Sequence, residues 1–211
     1  MEELVLASRN RKKLAELEAI LGDCAVRVRP VDACPGAPEV EETGTTFAEN
    51  ATLKAEAVAA ATGAPALADD SGLCVDALDG APGVWSARFA GEEADDAANN
   101  RLLLERLRDV PPEERTAHYV CSIALAVPGQ PTAIVEDRCD GRILDAPRGE
   151  GGFGYDPLFL SADLGQTFAE ADPDAKHRVS HRGRALARLA TRLRAACAPG
   201  PSTDSDQETP S

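Results

Sequence analysis

Several short stretches of this chain carry residue types that could do chemistry together. The first is SRNRKK at residues 8–13. Four of the 22 Lys and Arg residues, Arg9, Arg11, Lys12 and Lys13, fall within five positions, beside the neutral donors Ser8 and Asn10. This stretch lies between an apolar run and a helical pattern, where free backbone N–H groups and the helix dipole already favour an anion. It reads as a phosphate-binding loop, though not a Walker A loop, because no GxxxxGK[ST] is present. A second stretch places Glu39, Glu41 and Glu42 ahead of Thr43-Gly44. A third, ADDSGL, sets Asp69 and Asp70 where a strand reads as closing, and sites in open α/β sheets gather at the carboxyl ends of strands. Either these aspartates bond nearby N–H groups in a turn, or they hold a divalent cation. Mg²⁺ takes oxygen ligands, keeps several waters and bridges to substrate phosphates. An anion cradle and carboxylate clusters in one chain make joint sense as Mg²⁺ plus polyphosphate, with the cation offsetting the repulsion between the carboxylates. A carboxylate not fully used by the metal can take a proton from water.

Two further stretches suit a flat ligand. In GEGGFGYDP, Gly151, Gly152 and Gly154 let the backbone approach closely. Phe153 and Tyr155 offer aromatic faces, on which a base stacks well, in a chain that is only 4% aromatic. KHRVSHRGRAL holds two of the three histidines, and Ser180, His181 and Arg182 lead into a helix. That positively charged loop suits phosphate or the polar edge of a base. Seven Lys and Arg residues lie between 176 and 194, so half the positive charge of the chain occupies two segments. Arg188, Arg192 and Arg194 read as a solvated helix face.

The frame that must position these residues follows from periodicity and punctuation. Residues 4–7 read as a buried strand, and 10–21 as a helix with Leu14, Leu17, Ile20 and Leu21 on one face, stopped by Gly22. Residues 46–61 read as a second helix, with a capping box from Thr46 and Glu49 and an end at Gly63. A strand should follow Pro65 and end at the aspartates, with another at 73–78. Residues 94–108 read as a helix, 119–127 and 132–139 as a hairpin around PGQP, 147–155 as loop, 158–160 as a short strand and 181–196 as a basic helix. This alternation around one hairpin predicts an α/β fold with a mixed sheet. PGPSTDSDQETPS predicts a disordered acidic tail over 198–211, leaving 1–197 as one catalytic domain.

Composition excludes some classes. With 211 residues and 43% apolar content the chain can bury a real core. A net charge of -14 argues against bulk electrostatic binding to nucleic acid or to an anionic membrane. No apolar run approaches the ~20 residues of a transmembrane helix, and MEELVLASRN lacks the apolar core of a signal peptide. Cysteines 24, 34, 74, 121, 139 and 197 form no CxxC and sit among small or aliphatic residues. They read as buried thiols of a reducing, cytoplasmic compartment.

Taken in order, LASRNRKK, EETGTTFAENATLKA, ADDSGLCVDALDGAPGVWSARFAG, GEGGFGYDPLF and SHRGRAL resemble the inosine triphosphate pyrophosphatases, also called XTP/dITP diphosphatases. The resemblance runs from residue 3 to about 195. It implies a Mg²⁺-dependent homodimeric enzyme that cleaves a nucleoside triphosphate, preferably with hypoxanthine or xanthine as base, to the monophosphate and diphosphate. It also implies an elongated mixed β-sheet flanked by helices, with a central active-site cleft between two lobes. Residues 8–13 match the triphosphate loop. Asp70 matches the acidic residue that accepts a proton and holds metal, with Glu41, Glu42 and Asp69 as further candidate metal ligands. Ser71 matches a substrate contact. Phe153, Gly154, Tyr155 and Asp156 match the base-binding motif, and Lys176, His181 and Arg182 the remaining nucleotide contacts. Where the family has Thr-Gly this chain has Ser8-Arg9. Serine keeps the hydroxyl, whereas arginine is disfavoured if that position needs φ > 0. A Maf-like nucleotide pyrophosphatase and a nucleotide-binding module without catalysis are the competing readings. The FGYD and SHR motifs argue against the first, and a metal-ready Asp70 against the second.

Overall fold

Small side chains and caps decide how the layers pack. The computed structural model describes residues 3–9, 13–14, 17–18 and 26–197. The Thr46 hydroxyl accepts from the Glu49 N–H and the Glu49 carboxylate accepts from the Thr46 N–H, starting helix α1 (Phe47–Thr62). Gly63 ends it at φ 67°. Helices α2 (Asp96–Arg106), α3 (Pro173–Val179) and α4 (His181–Cys197) follow. The strands are β1 (Glu3–Leu6), β2 (Arg27–Pro30), β3 (Ala66–Val75), β4 (Thr116–Ala126), β5 (Ala133–Ile143) and β6 (Phe159–Ser161). They form one six-stranded sheet in the order β2-β1-β3-β4-β5-β6. β1 pairs in parallel with β2 and β3, and the remaining pairs are antiparallel, so the mixed sheet flanked by helices is as expected.

The sheet has two covered faces. On one, Ala51, Ala55, Val58 and Ala59 of α1 lie on Ala66, Ala68, Ala124 and Ala126. Alanine on both sides lets the helix approach closely. On the other face, Leu186, Leu189 and Leu193 of α4 cover Leu67, Cys121, Ile123 and Val135. Each leucine so buried contributes about 1.5–3 kcal/mol. The same face continues into an aromatic cluster, where the Tyr119 ring lies 4.7 Å from Phe159 and 6.0 Å from Phe168.

The structure differs from the sequence reading at β3. One strand runs from Ala66 to Val75, so the aspartates sit in its middle and not at its end. β2 and α3 were not anticipated. Lys13, Leu14, Leu17 and Glu18 are helical, while Asn10, Arg11, Lys12 and the tail at 198–211 lie outside the described residues. Among the described residues no helix is long and apolar enough to cross a membrane. Cys34, Cys74, Cys121 and Cys139 are free thiols, all but Cys74 buried.

Candidate active site

Successive side chains of a strand point to opposite faces. Within β3 this rule separates the two aspartates and distributes the site over both sides of one strand. Asp69 is buried on the α4 face, opposite Ile123 of β4. Its two oxygens accept from Lys13 Nζ at 2.8 Å each, and one also accepts from Arg182 at 2.6 Å. Burial alone would raise this carboxyl, but Lys13 and Arg182 outweigh it and hold the pKa at about 2. Asp70 faces α1. Its carboxylate accepts from Asn50 Nδ2 and from the Ser71 N–H at 3.0 Å each, with Lys54 Nζ 3.7 Å away. Burial is the strongest influence on Asp70 and lifts its pKa above the ordinary aspartate range, against Lys54 and Asn50. A cation shared between Asp69 and Asp70 is therefore excluded by geometry: one carboxylate is already paired twice, and the other looks away from it.

Glu42 joins the Asp70 side, accepting from Lys54 at 2.7 Å with Arg88 at 4.0 Å, and Glu41 stands exposed beside it. No group of three or more His, Cys, Asp or Glu gathers among the described residues. Mg²⁺ does not require one, since it is commonly held by one or two carboxylates plus substrate phosphates. Asp70 fits that role as a carboxylate whose charged form is disfavoured by burial, a cost that a bound cation would offset. Glu42 is the carboxylate that Lys54 ties to the same side, Glu41 is its exposed chain neighbour, and Asp69 is committed elsewhere.

Ser8 and Arg9, the described start of the phosphate loop, follow the end of β1. Arg9 takes no left-handed conformation, as the positive-φ non-glycine among the described residues is Asp79. The exchange of glycine for Arg9 thus carries no backbone strain. Its guanidinium pairs with Asp32 at 3.2 Å and Glu39 at 3.0 Å, tying the loop to the acidic segment. Ser8 is half-buried next to it.

On the α4 face, a cleft of about 490 Å³ is lined by Ser71, Phe153, Asp156, Lys176, His181 and Arg182, among others. Its size suits a nucleoside. Phe153 stands on its rim, 67% exposed. The Lys176 ammonium lies 4.9 Å from the centre of the Phe153 ring and 5.2 Å from that of Phe168. Asp156 is buried and spends its charge inside the wall, accepting from Lys176 and, at 2.8 Å, from the Phe153 N–H. His181 stacks on Tyr119 with centroids 4.8 Å apart, and burial pushes its pKa down to about 3, leaving a neutral imidazole. Tyr155 does not present a stacking face. It is buried, with its hydroxyl donating to the Ser86 carbonyl at 2.8 Å.

Four residues of the site went unread in the sequence. Asn50 and Lys54 sit one turn apart on the alanine-rich face of α1, and two polar residues there were a readable signal. Tyr119 and Phe168, which wall the cleft, look like ordinary core aromatics in sequence.

Comparison with known proteins follows the same residues. A model of the Ham1 family matches residues 4–192. The chain is 53% identical over 189 residues to the dITP/XTP pyrophosphatase of Geobacillus kaustophilus, covering 90% of this chain and 93% of that protein. It is 55% identical over 193 residues to the dITP/XTP pyrophosphatase of Geobacter sulfurreducens, covering 92% and 97%. A HAM1 protein structure from Coxiella burnetii superposes with a TM-score of 0.88 at 45% identity, over 92% of this chain and all (100%) of that one. The strand that parts two aspartates, the cleft beside it and these matches along most of the chain agree: it belongs to the Ham1 family.

Proposed function

We infer that this chain is a nucleoside triphosphate pyrophosphatase that hydrolyses ITP, dITP and XTP to the monophosphate and diphosphate. Relatives named dITP/XTP pyrophosphatase, 53% and 55% identical along most of the chain, support the reaction and substrate class. The observation that carries the reading is the division of β3. One face offers Asp70 with its raised pKa, and the other offers Lys13 and Arg182 locked onto Asp69 at the edge of the cleft.

In this reading the base enters the cleft and stacks on Phe153. Lys176, neutral His181 and Arg182 supply donors to the carbonyl at position 6 of hypoxanthine or xanthine. Ser71 contacts the nucleotide where the strand passes the cleft. Ser8, Arg9, Asn10, Arg11, Lys12 and Lys13 form the cradle for the distal phosphates, with Lys13 and backbone N–H groups as charge-matched donors. β1 pairs with β3 as far as Leu67, and across the open edge beyond it the α-phosphate would meet Asp70. Its raised pKa makes it a stronger base than a surface aspartate, able to take the proton of the attacking water, while Asn50 and Lys54 fix its orientation. Asp70 with Glu41 or Glu42 would hold Mg²⁺. That ion would supply neutralisation of phosphate charge and of the leaving diphosphate. The family resemblance supports a cytoplasmic homodimer.

A nucleotide panel tests the reading. Turnover of ITP, dITP and XTP that depends on added Mg²⁺ and far exceeds that of ATP is expected. Equal turnover of ATP and ITP would end the claim of base recognition.

A further inference from the structure

Helix α2 reaches the base side of the cleft and has no part in the reaction described above. Asp96 accepts from the Gly154 N–H at 2.6 Å, and Asn100 Nδ2 donates to the Gly154 carbonyl at 2.8 Å. One residue of the glycine-rich loop is thus held at both of its backbone polar groups by side chains one turn apart on a helix. Each side chain also serves its own helix, Asp96 as a first-turn acid and Asn100 by donating to the Asp96 carbonyl at 2.8 Å, but neither of those roles requires a bond to the loop. Asp95 is the N-cap, accepting from the Ala98 N–H at 2.7 Å, so Asp96 is not needed for capping. The Oδ1 atom of Asn100 is buried without a hydrogen-bond partner among the described residues. An unpaired buried polar atom costs stability, so an apolar residue would serve the helix better there.

What the pair holds is the support of Phe153. That ring is flanked by Gly152 at φ 77° and Gly154 at φ 62°, the backbone region in which glycine is at ease and most other residues are not. A mostly exposed ring between two glycines gets little direction from packing, so its aim depends on how the backbone is pinned. The neighbouring Asn99 pins the opposite wall, accepting from the Ala90 N–H at 2.8 Å and donating to the Ala87 carbonyl at 3.1 Å. One turn of α2 therefore joins both walls of the cleft.

We propose that Asp96 and Asn100 are positioning residues that hold the Phe153 ring at the stacking distance of a purine base. This deepens the functional reading and rests on it for the identity of the ligand. The test uses the full chain with Asp96→Ala, Asn100→Ala and the conservative Asp96→Asn, whose amide oxygen still accepts. Two readouts are taken: amide hydrogen exchange across residues 152–156, and kcat and KM for ITP. Both alanine variants should exchange faster across the loop and raise KM, by about tenfold for Asp96→Ala, which loses a hydrogen bond to a charged group, and about threefold or more for Asn100→Ala, which loses a neutral one, with kcat within about twofold. Asp96→Asn should stay near the parent in both. Should an alanine variant not fold, Asn100→Asp replaces a donor by an acceptor at the same volume and should raise KM likewise. Unchanged KM in the variants, a fall in kcat without a rise in KM, or Asp96→Asn behaving as Asp96→Ala would overturn the proposal. If the parent protein does not turn over ITP, the functional reading fails. Loop exchange then still judges the clip, and exchange in the parent as fast as in the alanine variants would refute it.

Discussion

Asp69 and Asp70 are adjacent in the chain and face opposite sides of β3, one bonded to Lys13 and Arg182, the other to Asn50 and the Ser71 N–H. The two carboxylates therefore have different physical tasks. Asp69 is stabilised by its partners and organises them. Burial raises the pKa of Asp70, which suits the base proposed for it.

Exchanging each aspartate for asparagine should separate those tasks. Asp69→Asn removes the shared partner of two cations in a buried triad, a loss of about 3 kcal/mol. Its thermal midpoint should fall by several degrees and its KM should rise as Lys13 and Arg182 lose their anchor. A variant with unchanged midpoint and KM would show that the triad organises nothing.

Asp70→Asn should lower kcat by ~10²-fold or more, the scale for losing a general base. Its thermal midpoint should hold or rise, because the native environment already disfavours the charged carboxylate. Steady-state kinetics and calorimetry on one preparation check both statements. Normal turnover would remove Asp70 from the chemistry.

Acid should weaken the fold through His181. Its native pKa of about 3 lies below the ordinary 6.5, so the unfolded chain binds the proton first. The stability linked to this residue is complete above pH ~6.5 and is lost as pH falls from there toward ~3. Between pH 7 and 5 the loss is up to about 2 kcal/mol, roughly 4–8 °C in midpoint for a chain of this size. Asp69 acts lower, between about 4 and 2, and leaves this window clear. His181→Gln should flatten the midpoint-against-pH curve between 7 and 5. An equally steep curve in that variant would contradict a buried neutral imidazole.

Base selection should run ITP and XTP first, then GTP, then ATP. Adenine presents an amino group to Lys176, His181 and Arg182, and each donor left unpaired costs ~1–3 kcal/mol, or roughly 5- to 150-fold. Guanine keeps the carbonyl but adds a 2-amino group, and Asp156 bonds Lys176 and the Phe153 N–H through Oδ2 alone, so its Oδ1 could accept from that amine and guanine should be rejected less firmly than adenine. Comparing kcat/KM across the four nucleotides checks the order, and ATP ahead of GTP would reverse the argument.

Much of this molecule was readable in advance, and the parts that were not have physical reasons. The capping box at Thr46 and the hairpin of β4 and β5 follow from local chemistry that tertiary contacts do not overrule. β3 was read as two strands because Asp-Ser-Gly resembles a turn. In the fold, Gly72 is there for room: a Cβ on it would come within 2.4 Å of Ser86 Oγ and 2.6 Å of the Gly83 carbonyl. β2 leaves no strand signal in the sequence because it is a short edge strand whose Arg27 and Arg29 break the apolar pattern, as edge strands often do. Gly183 in SHRG is likewise a matter of space, since an added Cβ would meet the His177 carbonyl at 1.7 Å where α3 and α4 turn against each other. Ser71, Phe153, Asp156, Lys176, His181 and Arg182 line one cleft, whereas Ser8, Arg9, Lys13, Glu41, Glu42 and both aspartates lie outside its lining. Which face each aspartate takes depends on strand register, and motif spacing does not carry that. Asn50 and Lys54 lie within EETGTTFAENATLKA, but that they serve Asp70 depends on the helix face they take, and Asp96 comes from a helix that no motif marks.

The central claim is that the distal phosphates lie on the basic loop while Asp70 attends the α-phosphate, so the bond between the α- and β-phosphates breaks. Product analysis after hydrolysis of ITP with Mg²⁺ tests this most directly. The account predicts inosine monophosphate and diphosphate in equal amounts, with no orthophosphate. Inosine diphosphate with orthophosphate would contradict it.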